Sequence, residues 1–88
     1  MNHLLIDQKK EEIIGWAKHS DKSKIDFIKM VLNNTLKKIR FLESIYMTGA
    51  ENNHYSRELN AIAVKEHDEF CIESSACYSL LREMGEIQ

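Results

Sequence analysis

The chain has no proline, three glycines, two cysteines and only 8% aromatic residues. Without proline, no position loses its backbone N–H or clashes with the preceding turn, so helices are free to run long. So little glycine and proline excludes collagen-like, linker-rich and loop-dominated architectures. Two cysteines, Cys71 and Cys77, are too few for the disulfide framework of a small secreted domain. On one helix they stand about 120° apart around the axis and about 9 Å along it, beyond the roughly 7 Å Cα reach of a disulfide. Two reduced thiols are expected. No apolar run approaches the roughly 20 residues of a membrane span. The opening Met1-Asn2-His3-Leu4-Leu5-Ile6-Asp7 is too short and too soon charged for a secretory signal. These absences together point to a cytoplasmic protein.

What is present is 88 residues with 43% hydrophobic and 30% charged side chains, a globular composition. By area scaling such a chain buries about 64% of its unfolded surface, enough for one modest core in a single domain over 1–88, and self-association would help it. The net charge is −2, but its distribution is uneven. Residues 1–50 carry nine Lys/Arg against six Asp/Glu, and residues 51–88 carry three against eight. Either the halves attract each other or each meets its own outside partner.

Apolar periodicity predicts three helices, over about 4–18, 23–47 and 54–84. The first carries Ile6, Ile13, Ile14 and Ala17 along one side; Gly15 weakens it by about 1 kcal/mol relative to alanine, and Trp16 is expected to anchor it on the others. Ser23 and Asp26 resemble a capping box at the start of the second. There Ile25, Ile28, Val31, Leu32, Thr35, Ile39, Leu42 and Tyr46 recur at spacings of three and four, opposite a polar stripe of Asp26, Lys29, Asn33, Lys37, Arg40 and Ser44. Thr48–Asn53 reads as a turn, with Gly49 as a left-handed cap and Asn52 or Asn53 as the next N-cap. The third helix has its seam at Ala63, His67, Phe70, Ser74, Cys77, Leu81 and Met84, flanked by Leu59, Ile62 and Leu80, and Ser74-Ser75 is a place for it to kink or split.

The expected fold is all-α: a short N-terminal helix plus a long antiparallel hairpin. Helices two and three would each be roughly 35–47 Å long and leave Phe27, Phe41, Ile45, Cys71 and Ile72 outside the tidy stripes. Such a hairpin is expected to dimerise, with four long helices in the core and the first helices packed outside. Antiparallel packing sets Lys37, Lys38 and Arg40 beside the acidic start of the third helix, and Lys22, Lys24 and Lys29 within reach of Glu73.

Motifs for catalysis are sparse. The sequence has no glycine-rich phosphate loop, nucleophile elbow or His-Glu-x-x-His pair, and no enzymatic activity is expected. Glu51 and His54 have the Glu-x-x-His spacing of di-iron bundles, but in a single copy across the turn. Ser56-Arg57-Glu58-Leu59-Asn60 resembles the Ser-x-Glu-Leu-Asp signature of the small two-helix aspartyl-phosphate phosphatases of sporulating bacteria. Asn60 stands at that family's aspartate and the likeness spans five residues, so no site is carried over.

Three clusters remain. Glu66, Glu69 and Glu73 share one helical face and, with Asp68, form an acidic surface suited to a partner's basic groove. Lys29, Lys37, Lys38 and Arg40, with Asn33-Asn34-Thr35, make helix two a candidate DNA-binding helix. His67 and Cys71 project from one face as a candidate zinc pair, joined by Cys77 only if the helix bends or a second copy supplies it; His54, His3 or a carboxylate would complete the site. No cofactor other than zinc is in question. Small, acidic, motif-free chains recur among inhibitors, immunity proteins and phage anti-defence proteins of the anti-CRISPR kind. The expected function is therefore to bind and block a larger protein, one that handles nucleic acid, through the acidic face. The alternatives are a helical DNA-binding regulator using the basic face and a zinc- or thiol-dependent sensor.

Overall fold

A computed structural model describes residues 3–44 and 57–87, the side chains of 57–61 apart. It contains α1 (His3–Ala17), α2 (Lys24–Leu42) and α3 (Arg57–Glu83), with no strand among the described residues. The all-α expectation holds. No described helix is long and apolar enough to cross a membrane.

Helix α2 starts where the sequence places it. Ser23 has extended backbone, and its hydroxyl accepts the Asp26 N–H at 3.1 Å, satisfying one of the donors that a helix start leaves without a partner. The Asp26 carboxylate lies in the first turn, where the helix dipole favours negative charge. Every member of the polar stripe from Asp26 to Ser44 is exposed, while Ile28, Thr35 and Leu42 are buried. Glu43 still has right-handed helical backbone. The expected continuation to 47, the turn at Thr48–Asn53, and the Glu51/His54 pair lie outside the described residues.

Helix α3 runs unbroken through Ser74-Ser75, contrary to the expected kink. The Ser74 hydroxyl donates to the Cys71 carbonyl one turn back, at 3.0 Å, and so has its partner without opening the backbone ladder. The helix ends at a left-handed Gly85, φ 78°. There the Gly85 N–H donates to the Arg82 carbonyl (3.0 Å) and the Glu86 N–H to the Leu81 carbonyl (2.9 Å), the bond pair of a Schellman cap. That turn delivers Glu86 to Lys29, with Nζ to Oε1 at 2.8 Å. The expected reach of Lys29 to Glu73 is replaced by this pairing.

The core lies where all three helices meet. Ile13 from α1, Ile28 from α2, and Ala76, Cys77, Leu80 and Leu81 from α3 form one buried cluster. Each of its large aliphatic side chains contributes roughly 1.5–3 kcal/mol by leaving water. Helix α1 thus contributes to the core of the single chain through Ile13. Trp16 does not anchor it: the ring is 44% exposed, and the Lys9 ammonium sits 5.6 Å from its centroid. Among the described side chains the seam of α3 is as expected except for Ile62, which is 53% exposed; the side chain of Leu59 lies outside them. Contacts between α2 and α3 step in opposite senses: Lys29 to Glu86, Lys38 to Phe70, Glu43 to His67. Lys10 and Glu83 tie α1 to the far end of α3.

Candidate functional site

Glu66, Asp68, Glu69 and Glu73 of α3 divide into two groups. Ile62, Glu66, Glu69 and Glu73 recur at spacings of four and three and form one stripe. Asp68 stands about 140° around the axis from Glu73 and faces elsewhere. Glu66 and Glu69 are exposed and Glu73 is half-buried.

This stripe separates two grooves. One, of about 370 Å³, lies between α2 and α3 and is lined by Lys37, Lys38, Phe41, Leu42, Glu66 and Phe70. Phe41, Leu42 and Phe70 form its apolar part, with Phe41 58% exposed, and the Lys38 ammonium lies 5.4 Å from the Phe70 centroid, within cation–π range. The other, of about 300 Å³, lies between α1 and α3 and is lined by Leu5, Gln8, Lys9, Glu12, Glu69 and Ile72. Lys37, Lys38 and Glu66 line the first groove together; the side chains at the start of α3 lie outside the described residues. Two grooves of mixed lining, each with a few apolar side chains among charged ones, flank a carboxylate ridge and form a recognition surface of mixed character.

The basic cluster on α2 is partly engaged within the chain. Lys29, Lys37 and Arg40 share the exposed stripe. Lys29 is bonded to Glu86, and that hydrogen bond, with the Glu86 charge behind it, holds its pKa above the ordinary lysine value. Lys38 sits over Phe70, so the four cations do not form one open patch.

The His67 cluster comes together in part. His67 Nε2 lies 2.9 Å from the Glu43 carboxylate, and Nδ1 lies 3.7 Å from the Cys71 sulfur. In the tautomer that has Nε2–H donating to Glu43, Nδ1 is the acceptor that faces the Cys71 thiol. The order thiol–imidazole–carboxylate matches that of an activated nucleophile, but the surroundings oppose activation. Burial, then the charges of Asp68 and Glu43, push the Cys71 thiol above its ordinary pKa, whereas a reactive thiol needs cations beside it. Cys77 does not join the pair. It is fully buried in the core, and burial followed by the Glu73 charge pushes its pKa up to about 12. Both thiols are free, as their spacing implied. Among the described residues no group of three or more His, Cys, Asp or Glu side chains is placed to hold a metal ion.

Sequence reasoning missed Glu43 as the partner of His67, and Phe41 and Leu5 as groove residues. Phe41 did carry a signal: an aromatic residue off the apolar stripe of its own helix marks a second working face. No protein-family model, curated protein or solved structure matches the chain.

Proposed function

We propose that this chain is a small interaction protein without catalytic activity, acting as a pair of copies to bind and block a larger protein. In this reading α2 and α3 form a helical hairpin closed by the turn at Thr48–Asn53. The class is that of inhibitors, immunity proteins and phage anti-defence proteins, and the target is a protein with a basic groove for nucleic acid. The carrying observation is the ridge Glu66–Glu69–Glu73 with a groove on each side that mixes apolar and charged side chains. Carboxylates at about 5–6 Å intervals along a helix present a row of charge comparable in spacing to a phosphate backbone, and Phe41, Phe70, Leu5 and Ile72 beside them supply anchors that a nucleic acid lacks.

The test compares the wild-type chain with the triple variant Glu66→Lys, Glu69→Lys, Glu73→Lys as bait in a host-cell extract, with helicity and melting checked first because Glu73 is half-buried. The expected result is a captured protein that the variant fails to hold and that double-stranded DNA displaces. Equal capture by the variant and by the wild type refutes the acidic ridge as the working surface.

A further inference from the structure

Helix α3 has a second regular stripe, on the side turned away from the buried Cys77, Leu80 and Leu81. Val64, Asp68, Cys71, Ser75, Tyr78 and Arg82 follow one another at alternating spacings of four and three, the repeat of a helix–helix seam. Neither α1 nor α2 covers this face fully: Val64 is 47% and Tyr78 39% exposed, Asp68 and Arg82 are exposed, and Cys71 and Ser75 are half-buried. The α3 residues that meet α1 and α2 in the core, Ala76, Cys77, Leu80 and Leu81, and those that make its polar contacts to them, His67, Phe70 and Glu83, all lie outside this stripe. Among the described residues neither Asp68 nor Arg82 takes part in an ion pair.

We propose that this face docks on the same face of a second copy, the two α3 helices lying antiparallel about a two-fold axis at the level of Glu73. The order of residues along the stripe is what selects this pairing. Val64 and Arg82 are equally distant from residue 73, as are Asp68 and Tyr78, and Cys71 and Ser75. Antiparallel pairing therefore sets Asp68 against the second copy's Tyr78 hydroxyl, with the second copy's Arg82 one turn beyond, and it does so twice because the interface is isologous. Cys71 meets Ser75 at the centre, where small side chains let the helix axes approach to about 8 Å. Val64 lies along the aliphatic stem of Arg82. Parallel pairing would instead set Asp68 against Asp68 and Arg82 against Arg82, so charge excludes that direction. The ridge Glu66–Glu69–Glu73 lies on the other side of α3 and stays free for the target in both copies. This inference rests on the pair of copies in the proposed function and places its interface.

Two measurements test it. Light scattering of the wild type at roughly 100 µM, well above the micromolar range of a modest interface, should give twice the 10.3 kDa chain mass. Next, the wild type is mixed with a variant carrying Cys71→Ser and Ser75→Cys and oxidised. The mixture should form a disulfide-linked heterodimer at least about tenfold faster than either protein forms a homodimer, since only the mixed pair brings two thiols within disulfide reach. Asp68→Arg and Arg82→Asp should each dissociate the pair, and the double variant should restore it. A dimer that neither cross-links faster when mixed nor responds to the charge reversals overturns the α3 face while leaving the pairing of copies intact. A 10.3 kDa species at that concentration overturns both.

Discussion

Replacing glycine by alanine should stabilise the fold at position 15 and destabilise it at position 85. At Gly15, inside α1, an added Cβ meets nothing within 4 Å. The substitution then only narrows the unfolded ensemble and improves helix propensity, a gain of about 0.5–1 kcal/mol. At Gly85 the space is equally open, but φ is 78°. A β-carbon in that region costs about 1–2 kcal/mol. Escaping the cost means unwinding the cap, losing the Gly85 to Arg82 and Glu86 to Leu81 bonds and shifting Glu86 away from Lys29. The two variants should therefore differ by roughly 2 kcal/mol, with the wild type between them. Urea denaturation followed by circular dichroism at 222 nm resolves that difference, provided the m-values agree. Two shifts of the same sign would refute the reasoning, because local space is the same at both sites and only backbone geometry separates them.

Other outcomes follow from burial and titration. Cys77 should make the fold alkali-sensitive: below the ordinary thiol pKa of 9.0 both states hold the proton, and between there and about 12 only the unfolded chain releases it. Stability should fall by about 1.4 kcal/mol per pH unit across that window from this group alone; Cys77→Ala should flatten the slope relative to wild type, and parallel slopes would count against a buried neutral thiol. Ile28→Ala, at a side chain with no exposure, should cost about 2–5 kcal/mol, measured by the same urea titration. Ser23→Ala should cost about 1 kcal/mol by removing the acceptor of the Asp26 N–H; a neutral result there would show that the cap is replaced by water without loss.

Much of this architecture is readable along the chain, because a helix on a core imposes its period directly. The α2 stripes are the clearest case: Asp26, Lys29, Asn33, Lys37, Arg40 and Ser44 are all exposed, and Ile28, Thr35 and Leu42 are all buried. Trp16 misleads because its size suggests an anchor, whereas its position, about 100° around the axis from Ala17, decides that it lies at the edge. Ser74-Ser75 misleads in the other direction, since a serine can satisfy itself on the preceding turn and leave the helix whole. The pairing of Lys29 with Glu86 depends on how far α3 runs and on the Gly85 cap, two facts that fix register only when taken together. The grooves are the least legible feature. They arise between helices, so no single period announces them, and Glu43 finds His67 only once α2 and α3 have a relative height.

Cys77 has an experimental use beyond its place in the core. Its surroundings come from α1, α2 and α3 at once, so a small alkylating reagent reaches the sulfur only when all three helices part. Cys71, half-buried at the surface of the single chain, needs only the copies to separate and reacts without that event. The slow half of a two-phase thiol-labelling trace would then time the opening of the whole molecule in native buffer, one chain carrying both clock and reference.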